Sequence, residues 1–154
     1  MDLILQIPNY YRRPKLILEP HCWSPEQNVK RFGFLVRNKG RSIAKRVYGE
    51  AIFNSSFHRA IHRICWNDSP NYEVDMLPGM LNEYWFYVAE LRSINGSLER
   101  LWGCFSFTGP AKEHFEITVK LYWEYYGLRS LSRKFHVNLV SWDTAEIRSL
   151  KKHA

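Results

Sequence analysis

His58, His62 and Cys65 form the densest group of metal-binding or nucleophilic residue types in this 154-residue chain. On a helix, two histidines four apart share a face and can hold one ion. The surrounding residues read instead as a strand from Ile61 to Trp66, which puts His62 and Ile64 on one side and leaves His58 in the preceding loop. No second pair of ligands at a suitable spacing accompanies them, so ordinary surface histidines are expected and no metal is assigned. Covalent catalysis has no better footing. Gly-x-Ser-x-Gly is absent, and no Cys or Ser sits in a strand–turn–helix elbow. Neither a Walker sequence nor Gly-x-Gly-x-x-Gly occurs to cradle phosphate. The paired carboxylates Glu113/Glu116 and Glu73/Asp75 fall at strand ends, where solvated charge explains them. The expectation is a chain that is not an enzyme, with no catalytic residue and no cofactor.

Cys22, Cys65 and Cys104 are far apart and include no Cys-x-x-Cys, so they read as buried free thiols rather than a zinc or redox motif. Asn54, Asn67 and Asn95 each begin an Asn-x-Ser sequence in an expected loop, a pattern that chance readily supplies.

The basic residues are the more informative set. The net charge is +7. Residues 1–63 hold twelve Lys and Arg against four Asp and Glu, whereas residues 64–154 hold ten against eleven. The surplus centres on Arg31, Arg37, Lys39, Arg41, Lys45 and Arg46, with Arg12, Arg13 and Lys15 upstream. Tyr10, Tyr11 and Tyr48 lie nearby and could stack on bases. Such a cluster suits a polyanion or a partner protein, and it also suits a solvated loop. No recognition helix, RNP signature or zinc finger is present, which argues against sequence-specific reading of nucleic acid.

The elements that must position these residues are strands. From Phe115 to Tyr126, Phe115, Ile117, Val119, Leu121, Trp123 and Tyr125 alternate with Glu116, Thr118, Lys120, Tyr122, Glu124 and Tyr126. Period two over a dozen residues excludes an amphipathic helix. Gly127 breaks the run, and Lys134 to Val140 supplies the second arm of a hairpin after a short basic connection. Lys30 to Arg37 buries Phe32, Phe34 and Val36 and turns Arg31 and Arg37 the other way. The turn Asn38-Lys39-Gly40 leads to a strand from Ala44 to Phe53, and Gly40 is expected at positive φ. Further strands are expected at Lys15 to His21, Ile61 to Trp66, Tyr72 to Met76, Tyr84 to Leu91 and Leu101 to Phe107. Asp143, Glu146, Ile147 and Leu150 suggest a short C-terminal helix or tail. The whole reads as one all-β domain over residues 1–154, a sandwich of about eight or nine strands. No apolar run reaches the roughly 20 residues of a spanning helix. The N-terminus has no secretory signal pattern, which favours a cytoplasmic protein or a domain excised from an exported one.

Within this pattern, Phe34-Leu35-Val36-Arg37-Asn38-Lys39-Gly40-Arg41-Ser42-Ile43-Ala44-Lys45-Arg46-Val47 resembles the "V-x-N-x-G-x-x-x-A" strand–turn–strand of immunoglobulin-like adhesion and accessory domains, CARDB-like modules and several uncharacterised prokaryotic families among them. The stretch Val74-Asp75-Met76-Leu77-Pro78-Gly79 is similar to the Pro-Gly turn that precedes their next core strand. Met80 stands where the family usually has Glu. The resemblance implies an immunoglobulin-like antiparallel sandwich acting as a non-catalytic interaction or structural module, with another protein as its partner. Non-specific binding of nucleic acid or an anionic surface through the basic end is the alternative.

Overall fold

Alternating sequences pair into sheets in the computed structural model, which describes residues 13–54, 59–68, 70–79, 82–94, 97–102, 105–107, 113–141 and 144–149. The described strands are β1 (Leu16–Glu26), β2 (Val29–Asn38), β3 (Ala44–Asn54), β4 (Arg59–Arg63), β5 (Val74–Met76), β6 (Tyr84–Ile94), β7 (Ser97–Trp102), β8 (Phe105–Phe107), β9 (Glu113–Glu124), β10 (Leu128–Ser141) and β11 (Thr144–Ser149). One sheet runs β1-β2-β6-β7-β8 and the other β11-β10-β9-β3-β4, with β5 paired to β3. All pairings between the described strands are antiparallel. No helix among the described residues is long and apolar enough to cross a membrane.

Among the described residues eleven strands stand where eight or nine were expected, for two reasons. The segment Leu101 to Phe107 divides between β7 and β8, and the C-terminal tail is a strand rather than a helix. Residues Thr144–Ser149 pair with Phe135–Ser141 along β10. Six residues make a poor isolated helix because nucleation is unfavourable, while the open edge of β10 satisfies each backbone group it pairs. The basic connection expected between β9 and β10 is likewise part of β10 itself, and only Tyr125, Tyr126 and Gly127 separate the two strands. The strand expected to reach Trp66 ends at Arg63, and Trp66–Asp68 forms a 3-10 turn with Asn67 at φ 54°.

The two sheets bury one common core. Phe32, Phe34, Val36, Phe86 and Val88 from the first meet Val47, Ala51, Ile117, Val119, Leu121, Phe135 and Val137 from the second. The rings of Phe34 and Phe135 lie 4.5 Å apart across the interface. Trp66 is fully buried against Phe86, and its indole N–H donates to the Val47 carbonyl at 3.1 Å.

The chain crosses from the first sheet to the second between β2 and β3, and Asn38 pins this crossover. Its side chain is buried and fully used. Oδ1 accepts from the backbone N–H groups of Lys15 and Gly40 at 3.1 and 3.0 Å, and Nδ2 donates to the carbonyls of Ser42 and Met76 at 2.7 and 3.1 Å. The Asn38 carbonyl accepts from Gly79 N–H at 3.1 Å. The crossover and the Pro78-Gly79 turn therefore meet. Gly40 itself departs from expectation. Among the described glycines, Gly79 and Gly127 adopt positive φ and Gly40 does not. A side chain at Gly40 would instead collide with the backbone of Arg13, Pro14 and Lys15.

Candidate functional site

The six basic residues singled out by sequence separate into a locked group and an open group. Arg31 and Arg37 sit on the outer face of the first sheet, six residues apart and so on the same side of β2. The Arg31 Nε donates to the carboxylate of buried Glu90 at 2.7 Å, and the guanidinium lies 4.6 Å from the Tyr87 ring centre. Arg37 bridges Glu19 at 3.2 Å and Glu83 at 3.0 Å. Arg46 lies within 3.5 Å of both Glu73 and Glu124, and its backbone N–H donates to Asp75. These arginines are already paired by the protein's own carboxylates.

Lys39, Arg41 and Lys45 differ. All three are exposed, and among the described residues none forms a salt bridge. A bulge in β3 between Lys45 and Tyr48, with Arg46 at φ 54°, breaks the alternation and turns both Lys45 and Arg46 outward. β3 pairs with β9 here, Lys45 opposite Glu124, so the crossover comes to lie beside the tip of the β9–β10 hairpin. Between them runs an open groove of about 770 Å³, lined by Arg41, Ser42, Ile43 and Lys45 on one side and by Glu124 to Leu128 on the other.

The hairpin tip is apolar and unusually exposed. Tyr126 is 87% exposed and Leu128 64%, and Ile43 across the groove is 39% exposed. Tyr126 also holds φ 48°, a left-handed conformation disfavoured for an aromatic residue. The turn is closed by Tyr125 N–H donating to the Gly127 carbonyl at 2.9 Å, and Arg129 Nε donates to the Tyr125 carbonyl at 3.0 Å. Leu77, 45% exposed, follows β5 at this same end of the sandwich, next to the Pro78 that bridges to Asn38.

The remaining candidates disperse. Tyr48 stacks on Tyr122 at 5.2 Å on the outer face of the second sheet, away from the groove. Tyr10, Tyr11 and Arg12 lie outside the described residues, as do His58, Cys104 and Asn95. His62 is half-buried on β4 opposite Ala51, and burial lowers its pKa. The expectation of buried thiols fails at Cys22, which is exposed on the edge strand β1, while Cys65 is half-buried. Burial of part of its surroundings nevertheless raises the Cys22 pKa, against an opposing pull from Lys30. Asn54 closes β3 rather than a loop, and the Asn67 side chain accepts from Trp85 N–H at 2.9 Å. Among the described residues no three His, Cys, Asp or Glu side chains converge as metal ligands. Sequence reasoning found Arg41 and Lys45 but missed Tyr126, Leu128 and Ile43. An aromatic residue before a glycine reads as a turn, and only the β3–β9 pairing shows what the turn stands beside.

In comparison with known proteins, no family model, curated protein or solved structure matches the chain.

Proposed function

We propose that the chain is a non-catalytic interaction module that docks through the end of the sandwich formed by the β2–β3 crossover and the β9–β10 hairpin tip. The observation that carries this reading is the company Tyr126 keeps. It is an aromatic side chain that is 87% exposed, touches the Tyr125 ring edge-on at 4.8 Å and strains its own backbone. It is set beside exposed Leu128 and Ile43 and the cations Arg41 and Lys45, which form no salt bridge among the described residues. A strained, exposed aromatic side chain of this kind adds little to folding and suits contact with something else. An immunoglobulin-like architecture belongs to the same proposal. β2 lies beside β6 while β3, β9 and β10 run together in the opposite sheet, which parallels the B–E and C–F–G neighbours of immunoglobulin domains. One departure is that the strand beyond β6, β7, follows it in sequence rather than preceding it.

The test places a photo-crosslinking p-benzoylphenylalanine at position 126 in living cells, with Ser132 on the exposed outer face of β10 as control. Adducts, whether to protein or lipid, are expected from position 126 and not from 132. Equal labelling from both positions, or none from 126, removes the reading.

A further inference from the structure

We infer that the surface this end docks on is an anionic phospholipid membrane, a proposal that rests on the docking reading above and gives its partner a chemistry. Four of the exposed large apolar side chains, Ile43, Leu77, Tyr126 and Leu128, lie at this one end. Around them stand the exposed cations Lys39, Arg41 and Lys45. The Arg13 carbonyl is packed against Gly40, which brings exposed Arg13 to the same crossover. The carboxylate in the groove, Glu124, lies 3.5 Å from Arg46, which it shares with Glu73, so the cations Arg13, Lys39, Arg41 and Lys45 set the sign of this end. Apolar tips ringed by basic side chains are the arrangement that an anionic leaflet rewards: the tips enter the interfacial layer and the cations meet lipid phosphates and carboxylates. Tyrosine suits that depth because its ring is apolar and its hydroxyl stays wet.

Two other polyanions fit less well. Nucleic acid would use the cations and the Tyr126 ring, yet Leu128, Ile43 and Leu77 offer nothing to phosphates or base edges. Three of the arginines that a phosphate track would recruit are committed to Glu90, Glu19, Glu83, Glu73 and Glu124. An acidic peptide docking as an added strand needs an open edge. β9 is flanked by β3 and β10, and the stretch of β10 that β11 leaves uncovered, Leu128–Lys134, has its outer edge on the far side of β9 from the crossover cations, so a strand added there would leave Arg41 and Lys45 unused.

The full chain is tested by co-sedimentation with vesicles of phosphatidylcholine alone and of phosphatidylcholine containing about one-third phosphatidylserine. Wild type is expected to sediment with the anionic vesicles only, and less so as salt rises. Arg41→Gln and Lys45→Gln should each weaken binding about fivefold. Tyr126→Gly with Leu128→Ser should weaken it at least about tenfold through lost apolar insertion. Tyr126→Gly alone should weaken vesicle binding while leaving Tm nearly unchanged, because relief of the left-handed strain offsets glycine's greater freedom in the unfolded chain, so that loss cannot be attributed to unfolding. Absence of vesicle binding at low salt, or equal binding by wild type and the variants, overturns the lipid assignment. Retention on an oligonucleotide or polyglutamate without vesicle binding overturns it too. In that case selective crosslinking from position 126 would still stand, and the docking reading would survive its partner.

Discussion

Gly40 shows how one residue type answers to two different physical demands. A turn glycine at positive φ can be exchanged for asparagine at small cost, because asparagine tolerates the left-handed region. A glycine crossed by another backbone cannot, because any Cβ collides. At Gly40 a Cβ would overlap the Arg13 carbonyl oxygen and lie 2.7 Å from the Lys15 nitrogen. Gly40→Asn and Gly40→Ala are therefore expected to be comparably destabilising in a denaturant titration. Near-neutral Asn with costly Ala would restore the left-handed explanation. The sequence marks Asn38-Lys39-Gly40 as a turn, and that much was legible. What it does not disclose is that Asn38 is buried, because the side chain's partners lie 23 residues back at Lys15 and 38 ahead at Met76.

Strands with strict alternation were the most legible elements. In β9, Ile117, Val119 and Leu121 are fully buried, while Thr118, Lys120 and Tyr122 are not. Leu121→Ala is expected to destabilise by about 2–5 kcal/mol through lost transfer energy and a cavity. Lys120→Ala on the opposite face should change stability by less than about 0.5 kcal/mol. Similar losses from both, measured by urea unfolding, would contradict the register. Legibility fails where pairing overrides a local signal. Asp143 and Glu146 imitate a capped helix, but the free edge of β10 offers hydrogen bonds that a short tail cannot make for itself, and β11 takes them. Alternation fails again at the β3 bulge, where two successive basic residues face outward and prepare the groove wall.

At the scale of the whole molecule, the charge asymmetry is partly undone by folding. Arg31, Arg37 and Arg46 belong to the basic first part of the chain, yet Glu90, Glu83, Glu73 and Glu124, which pair with them, come from the second. Composition shows the surplus, and only the sheet order shows which cations are left over. The groove was illegible for the same reason, since its walls are about eighty residues apart in sequence and meet through β3 and β9. Stability should also respond to acid through His62. Burial holds its pKa below the ordinary value of 6.5, so the unfolded chain takes up this proton more readily than the folded one. Its contribution falls as pH drops through that ordinary value, and levels off once the folded histidine protonates as well. Thermal unfolding from pH 8 to pH 5 is expected to show a shallower decline for His62→Gln than for wild type. Parallel declines would refute the assignment. The Asn38 clasp carries a last consequence, which lies in time rather than in energy. It joins the lead-in at Lys15, the crossover at Ser42 and the end of β5 at Met76, so it can close only after three distant segments have met. Such a latch engages late. Asn38→Ala should accelerate unfolding severalfold and leave the refolding rate nearly unchanged, making this buried side chain a setting on how long the native state lasts. Stopped-flow chevrons in which the refolding arm shifts instead would show that the clasp forms early.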